Sequence, residues 1–159
     1  VVLLQATDMF EMAMQVERSG EAFYRAAAEK VDSHSVKDLF EDLALQEVKH
    51  YQLFRSLFES IRGRPLMTAE QWHEYQGYLG ATVQSAFFEG PDRALAAAET
   101  VTGHQEAVRM AIEFEKETLL FFFDLTDIVP DSGKRAVREI VEEERSHIRR
   151  LARMLQDNG

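Results

Sequence analysis

Six side chains in this sequence have the types and spacing to hold metal: Glu17, Glu47, His50, Glu115, Glu144 and His147. They come as a repeated set, one lone Glu followed by one Glu-x-x-His in each half of the chain. Met12-Ala13-Met14-Gln15-Val16-Glu17-Arg18 returns as Met110-Ala111-Ile112-Glu113-Phe114-Glu115-Lys116, and Phe23-Tyr24 returns as Phe121-Phe122. Glu47-Val48-Lys49-His50 returns as Glu144-Arg145-Ser146-His147, so the repeat offset is 97 or 98 residues. Carboxylate oxygen and imidazole nitrogen suit iron or manganese, and zinc accepts the same donors. A lone Glu from each of two helices, with Glu-x-x-His from each of the other two, is the arrangement of a two-metal site inside a four-helix bundle.

The surrounding residues explain why these are not ordinary surface charges. Each sits in an apolar stripe of helical period: Phe10, Ala13, Glu17, Gly20, Tyr24, Ala27; Val36, Phe40, Leu43, Glu47, His50, Phe54, Leu57, Ile61; Val108, Ile112, Glu115, Leu119, Phe122; and Val137, Ile140, Glu144, His147, Leu151, Met154. Such a stripe faces a core. A buried, unpaired carboxylate costs several kcal/mol even after relaxation, and four together raise one another's pKa. The stripes hold no Lys or Arg at these levels. Two divalent cations would balance four carboxylates.

The elements follow from the stripes and the breaks between them. A first helix is expected from Thr7 or Asp8 to about Lys30, and a break at Asp32-Ser33-His34-Ser35 with Ser35 as N-cap. A second helix runs to Ile61 and stops at Gly63-Arg64-Pro65. Residues 63–103 read as a long crossover with one or two short helices, near 69–80 and 92–100. A third helix is expected from about Thr102 to Val129, a break at Pro130-Asp131-Ser132-Gly133, and a fourth helix to about Gln156. Short links make two antiparallel hairpins, which the crossover joins. Glu17 lies 16 residues before Ser33 and Glu47 lies 14 after it, so both stand ~21–24 Å from the turn at ~1.5 Å per residue. Glu115 and Glu144 are placed in the same way about Asp131. Each lone Glu should therefore face the Glu-x-x-His of its own hairpin. The expected fold is all-α, a single four-helix domain over residues 1–159.

Composition narrows the function classes. The chain has 159 residues, 45% hydrophobic and 29% charged, with 3 Pro, 8 Gly and no Cys. That is enough for one domain with a sizeable core. A formal net charge of −10 opposes a phosphate backbone, so nucleic acid is not an expected partner. Without Cys there is no disulfide, thiolate nucleophile or cysteine-ligated cluster. No signal peptide and no apolar run of about 18 residues is visible, so no membrane partner is expected and a cytoplasmic location is.

Other candidates are read as structural. Glu70-x-x-His73 lacks a long apolar stripe and a counterpart in the repeat, and is assigned to a solvated helix. His34 and His104 are helix-end residues. Glu113, Glu117, Glu142 and Glu143 flank the proposed ligands as solvated charges. Tyr24 and Tyr51 are read as core residues ahead of hydrogen-bond donors to the ligands, and Phe121-Phe122-Phe123 as packing.

With these residues in place, the chain resembles the ferritin-like di-iron carboxylate proteins, and within them the rubrerythrin-like branch, over almost its whole length. Glu17 with Tyr24 seven residues on resembles the first rubrerythrin helix, Glu47-x-x-His50 the second, Glu115 with Phe122 the third and Glu144-x-x-His147 the fourth. The resemblance implies Glu17 and Glu115 as terminal carboxylates, Glu47 and Glu144 as bridging ones, and the two His as terminal nitrogen ligands of two iron ions. It also implies a homodimer. Two departures stand out. Thr118 occupies the place of a second third-helix carboxylate on which the family's ligand exchange depends, and the cysteine-ligated electron-transfer domain of full rubrerythrins is missing. Any electrons must then come from an external donor protein. The expected activity is peroxide reduction or ferrous iron oxidation, with O2 or hydrogen peroxide as oxidant. The alternatives are an iron-binding protein without turnover, for storage or delivery, and a metal-free helical module that pairs through the Trp72–Tyr78 region.

Overall fold

The apolar stripes read from the sequence lie on the inner faces of four long helices. The computed structural model describes residues 3–62, 65–82 and 89–157. In chain order the elements are β1 (Leu3–Gln5), α1 (Ala6–Lys30), α2 (His34–Ile61), β2 (Pro65–Thr68), α3 (Ala69–Thr82), α4 (Pro91–Glu99), α5 (His104–Ile128) and α6 (Asp131–Asp157). α1 and α2 form one hairpin and α5 and α6 the other, each pair packed along its length. The hairpins meet through α1 against α5 and α2 against α6. This is the expected all-α four-helix bundle with two hairpins and a crossover.

Several boundaries differ from the sequence reading. Ser33, not Ser35, caps α2: its hydroxyl accepts from the Val36 N–H at 3.5 Å. The helix starts two residues earlier than expected, so Ser35 falls in its first turn with its hydroxyl 3.1 Å from that of Ser33. α5 begins at His104, after Gly103. Thr102 stays outside, where its N–H and hydroxyl both donate to the Glu106 carboxylate. The break before α6 is shorter than expected. Only Val129, extended as the residue before a proline tends to be, and Pro130, which lacks an N–H, separate α5 from α6, and Asp131, Ser132 and Gly133 already belong to the helix. Of the expected stop at Gly63-Arg64-Pro65, the first two residues lie outside the described residues, and Pro65 opens β2.

Of the one or two short helices expected in the crossover, the structure has two, α3 and α4. The crossover strand β2 also pairs antiparallel with β1, ahead of α1, with Leu3 opposite Thr68 and Leu4 opposite Met67, a pairing the sequence does not predict. Strands of three and four residues are too short to carry a readable alternation. α4 lies along α1 and packs through Ala94 and Ala98, both fully buried.

The core is aromatic. Phe10 of α1 meets Phe54 of α2 edge-on at 6.0 Å, and Phe54 meets Phe122 of α5 at 4.9 Å. All three are fully buried. These rings tie one hairpin to the other on one side of the acidic layer. Tyr24, Phe40 and Phe114 do so on the other, with Tyr24 5.3 Å from Phe40 and 6.5 Å from Phe114. No helix among the described residues is long and apolar enough to cross a membrane.

Phe122→Ala should destabilise the fold by about 3–5 kcal/mol, the usual cost of emptying a buried aromatic site. Chemical denaturation of the metal-free protein measures this, and a loss under about 1 kcal/mol would mean that the hairpins do not depend on this contact.

Candidate metal centre

Each of the six residues is placed by its own stripe. Glu17 comes from the middle of α1, Glu47 and His50 from α2, Glu115 from α5, and Glu144 and His147 from α6. The four carboxylates are fully buried and the two imidazoles nearly so. The three-residue spacing in each Glu-x-x-His puts both side chains on one helix face. Two overlapping groups result: Glu17, Glu47, His50 and Glu144 offer one donor atom each within 4.8 Å of one another, and so do Glu47, Glu115, Glu144 and His147. Glu47 and Glu144 are common to both. Each lone Glu does meet the His of its own hairpin: His50 Nδ1 stands 3.6 Å from Glu17, and His147 Nδ1 3.5 Å from Glu115. Glu144 lies between the imidazoles, with Nδ1 of His50 at 2.8 Å from one oxygen and Nδ1 of His147 at 3.0 Å from the other. The two rings are stacked, 5.6 Å apart and 15° from parallel.

These donors have few protein partners. Seven of the eight carboxylate oxygens, and Nδ1 of both histidines, lack a hydrogen bond of proper geometry. The eighth oxygen, Oε1 of Glu115, accepts from the Tyr24 hydroxyl at 2.5 Å. Buried polar atoms are almost always paired, so a cluster of nine that are not calls for a ligand. Cations fit it: all nine atoms are acceptors when deprotonated, and all are hard or borderline donors.

Gly20 matters to this packing. It sits one turn after Glu17, and a Cβ there would lie 2.6 Å from Oε2 of Glu47 and 3.0 Å from a Phe114 ring carbon. The missing side chain lets the α2 carboxylate stand against the α1 backbone.

Two residues do more than the sequence reading gave them. The sequence places Glu143 among the solvated charges, but its Oε2 stands 2.7 Å from His50 Nε2. Glu143 remains half exposed, and its polar neighbours in sequence give no sign that a ring from the opposite hairpin reaches it. Tyr24, read first as a core residue, is a buried donor to Glu115. Its place in the stripe seven residues after Glu17 was the visible signal. Tyr51 instead accepts from Arg18 at 2.6 Å, away from the cluster. Glu70 and His73 are exposed, Glu113 pairs with Lys116, and Glu142 with Arg145. Phe121 and Phe122 are buried, whereas Phe123 is partly exposed beneath Arg145. Thr118 is fully buried and its hydroxyl has no hydrogen-bond partner.

Without cations, protons must balance the charge. Burial pushes Glu47 well up, aided by repulsion from Glu17 and Glu144. Burial raises Glu17 too, against the pull of His50. Burial and Glu144 lift Glu115 to about 8. Burial also acts on Glu144, but the imidazoles at its oxygens hold it below the usual carboxylate range. Burial lowers His147, yet its contacts with Glu115 and Glu144 carry it to about 10. His50 behaves likewise under Glu17, Glu143 and Glu144. Burial and Glu115 raise the Tyr24 phenol, which keeps it a donor.

Two outcomes follow. Metal ligation needs deprotonated donors, and near pH 7 the metal-free cluster holds protons on Glu115 and His147. Uptake of Zn2+ or Mn2+ should therefore expel protons, and below the raised values of Glu115 and His147 affinity should fall about tenfold for each unit by which the pH is lowered, per proton displaced. A weakly buffered titration reads the release, and pH-independent binding would contradict it. Gly20→Val should displace Glu47 and lower metal content at unchanged helicity, and a full complement of metal in this variant would refute the need for that close approach.

Comparison with known proteins bears on the fold and the family. Among curated proteins none matches the sequence significantly. Two solved structures share the fold. One is from Thermotoga maritima, named as a candidate ferritin-like diiron-carboxylate protein: TM-score 0.67, 19% identity, 100% of this chain and 99% of that one covered. The other is a hypothetical protein from Pyrococcus furiosus: TM-score 0.65, 19% identity, 96% and 89% covered. The rubrerythrin family model matches residues 8–155, nearly the whole bundle, and the chain belongs to the rubrerythrin family.

Proposed function

We propose that this protein is a di-iron carboxylate oxidoreductase, with manganese as the other candidate metal, that reduces peroxide or oxidises ferrous iron. The observation that carries the reading is the set of nine unpaired donor atoms in a dry aromatic interior. Glu17 and His50 would hold one ion, Glu115 and His147 the other, and Glu47 and Glu144 would be shared. An iron pair supplies two electrons per cycle, as needed to convert hydrogen peroxide and two protons into two waters.

The chain's own residues do the rest. The shared carboxylates fix the spacing of the two positions. The Tyr24 hydroxyl holds Glu115 in place. The rings of Phe54, Phe114 and Phe122 exclude water, which limits leakage of reactive species. Thr118 is neutral and sits one turn from Glu115 on α5, where the resemblance would place a carboxylate. Ligand exchange through that position is therefore not part of the proposal.

The reductant is proposed to be an electron donor outside this helical bundle, because these 159 residues have no Cys to ligate an electron-transfer iron. The same absence favours a second reading, an iron-holding protein that fills without cycling. Pairing of two chains rests on the resemblance alone.

Elemental analysis of the isolated protein should find about two iron or manganese ions per chain, and Glu144→Ala should lower that number. Anaerobically reduced protein should then consume peroxide repeatedly when a chemical reductant is supplied. A protein that takes up iron yet consumes only one equivalent of peroxide would support storage over catalysis. A protein that takes up no metal would refute both.

A further inference from the structure

We infer that the two halves of the metal centre are unequal: the half around Glu17 and His50 takes its ion first and holds it more tightly, and Glu143 is the positioning residue that makes it so. This rests on the metal-centre reading above and goes beyond it.

The internal repeat makes the inequality visible, because each ligand has a counterpart and its surroundings do not. Glu143 precedes Glu144, and its counterpart Gln46 precedes Glu47. On one side, His50 Nε2 meets the Glu143 carboxylate at 2.7 Å. On the other, Gln46 is a neutral amide whose Nε2 turns to Asp42 Oδ1 at 3.5 Å. A carboxylate behind a ligating imidazole keeps the proton on the far nitrogen, fixes the ring and raises the basicity of the near nitrogen. His50 has that support, with Nδ1 aimed at the cluster. His147 instead borders a surface pocket of about 240 Å3 that Gln46, Glu143, Ser146 and Arg150 also line.

A second asymmetry acts in the same direction. The counterpart of Tyr24 is Phe122. Tyr24 donates to Glu115 and occupies one of its oxygens. Phe122 has no hydroxyl to offer, and both oxygens of Glu17 are unpaired. One half thus has a free carboxylate and a supported imidazole. The other has a carboxylate that shares its charge with a phenol and an imidazole beside a solvent pocket.

The test is a titration of the metal-free protein with Co2+ or Zn2+ against a competing chelator. Two steps are expected, about tenfold or more apart. Glu115→Ala should keep the tight step and Glu17→Ala should lose it. Glu143→Gln should weaken the tight step by about 10–100-fold and leave the weak step unmoved. Gln46→Glu should tighten the weak step, which a merely structural role for Glu143 would not produce. Two equal steps, loss of the tight step in Glu115→Ala, or an equal shift of both steps in Glu143→Gln would overturn the inference while leaving the metal centre standing. A wild-type protein that bound neither ion would overturn both.

Discussion

Four carboxylates share one small volume in which almost nothing else is polar, and the rest of the molecule is arranged around that repulsion. Bringing like charges together out of water costs several kcal/mol per ion. Among the described residues no buried Lys or Arg offsets it, and the basic side chains of the cluster are His50 and His147. In the metal-free protein, protons carry the balance, which is why Glu115 and His147 depart so far from their ordinary values. Cations would carry it with less compromise, since each replaces protons on several donors at once. The long helices, short links and aromatic walls serve to bring these groups to one level and keep water away.

The architecture achieves this by using one device twice. Each hairpin brings a lone Glu opposite a Glu-x-x-His, and each then lends its Glu-x-x-His carboxylate to the other half. Neither hairpin completes a set alone. Glu144 belongs with Glu17, Glu47 and His50, and Glu47 belongs with Glu115, Glu144 and His147. The contacts between hairpins, such as Phe54 against Phe122, thus govern the site as much as the ligands do. They set whether two half-sites form one centre.

Repetition in the ligands is not matched by repetition around them. Glu143 against Gln46 and Tyr24 against Phe122 are the points where the two halves part. Each difference changes what a ligand can donate without changing the ligand itself. Two cations held there would meet different surroundings.

Much of this was legible from the amino-acid sequence, because helical periodicity and the repeat offset are local, one-dimensional signals. The four helices, their stripes and the six residues of the cluster all came from spacing. A Glu or His at a core position of a long stripe has nowhere else to go. What spacing could not reach were facts about neighbours in three dimensions. The ribbon of Leu3–Gln5 with Pro65–Thr68 is too short to have a period. The close approach of Gly20 to Glu47 depends on how near α1 lies to α2. The role of Glu143 exists only because His50 crosses from the other hairpin to meet it. The sequence by itself determined which groups must be buried together, since hydrophobic pattern decides the inward face. Only the tertiary structure decided which of those groups has help behind it, since that depends on distances of a few ångströms between helices far apart in the chain.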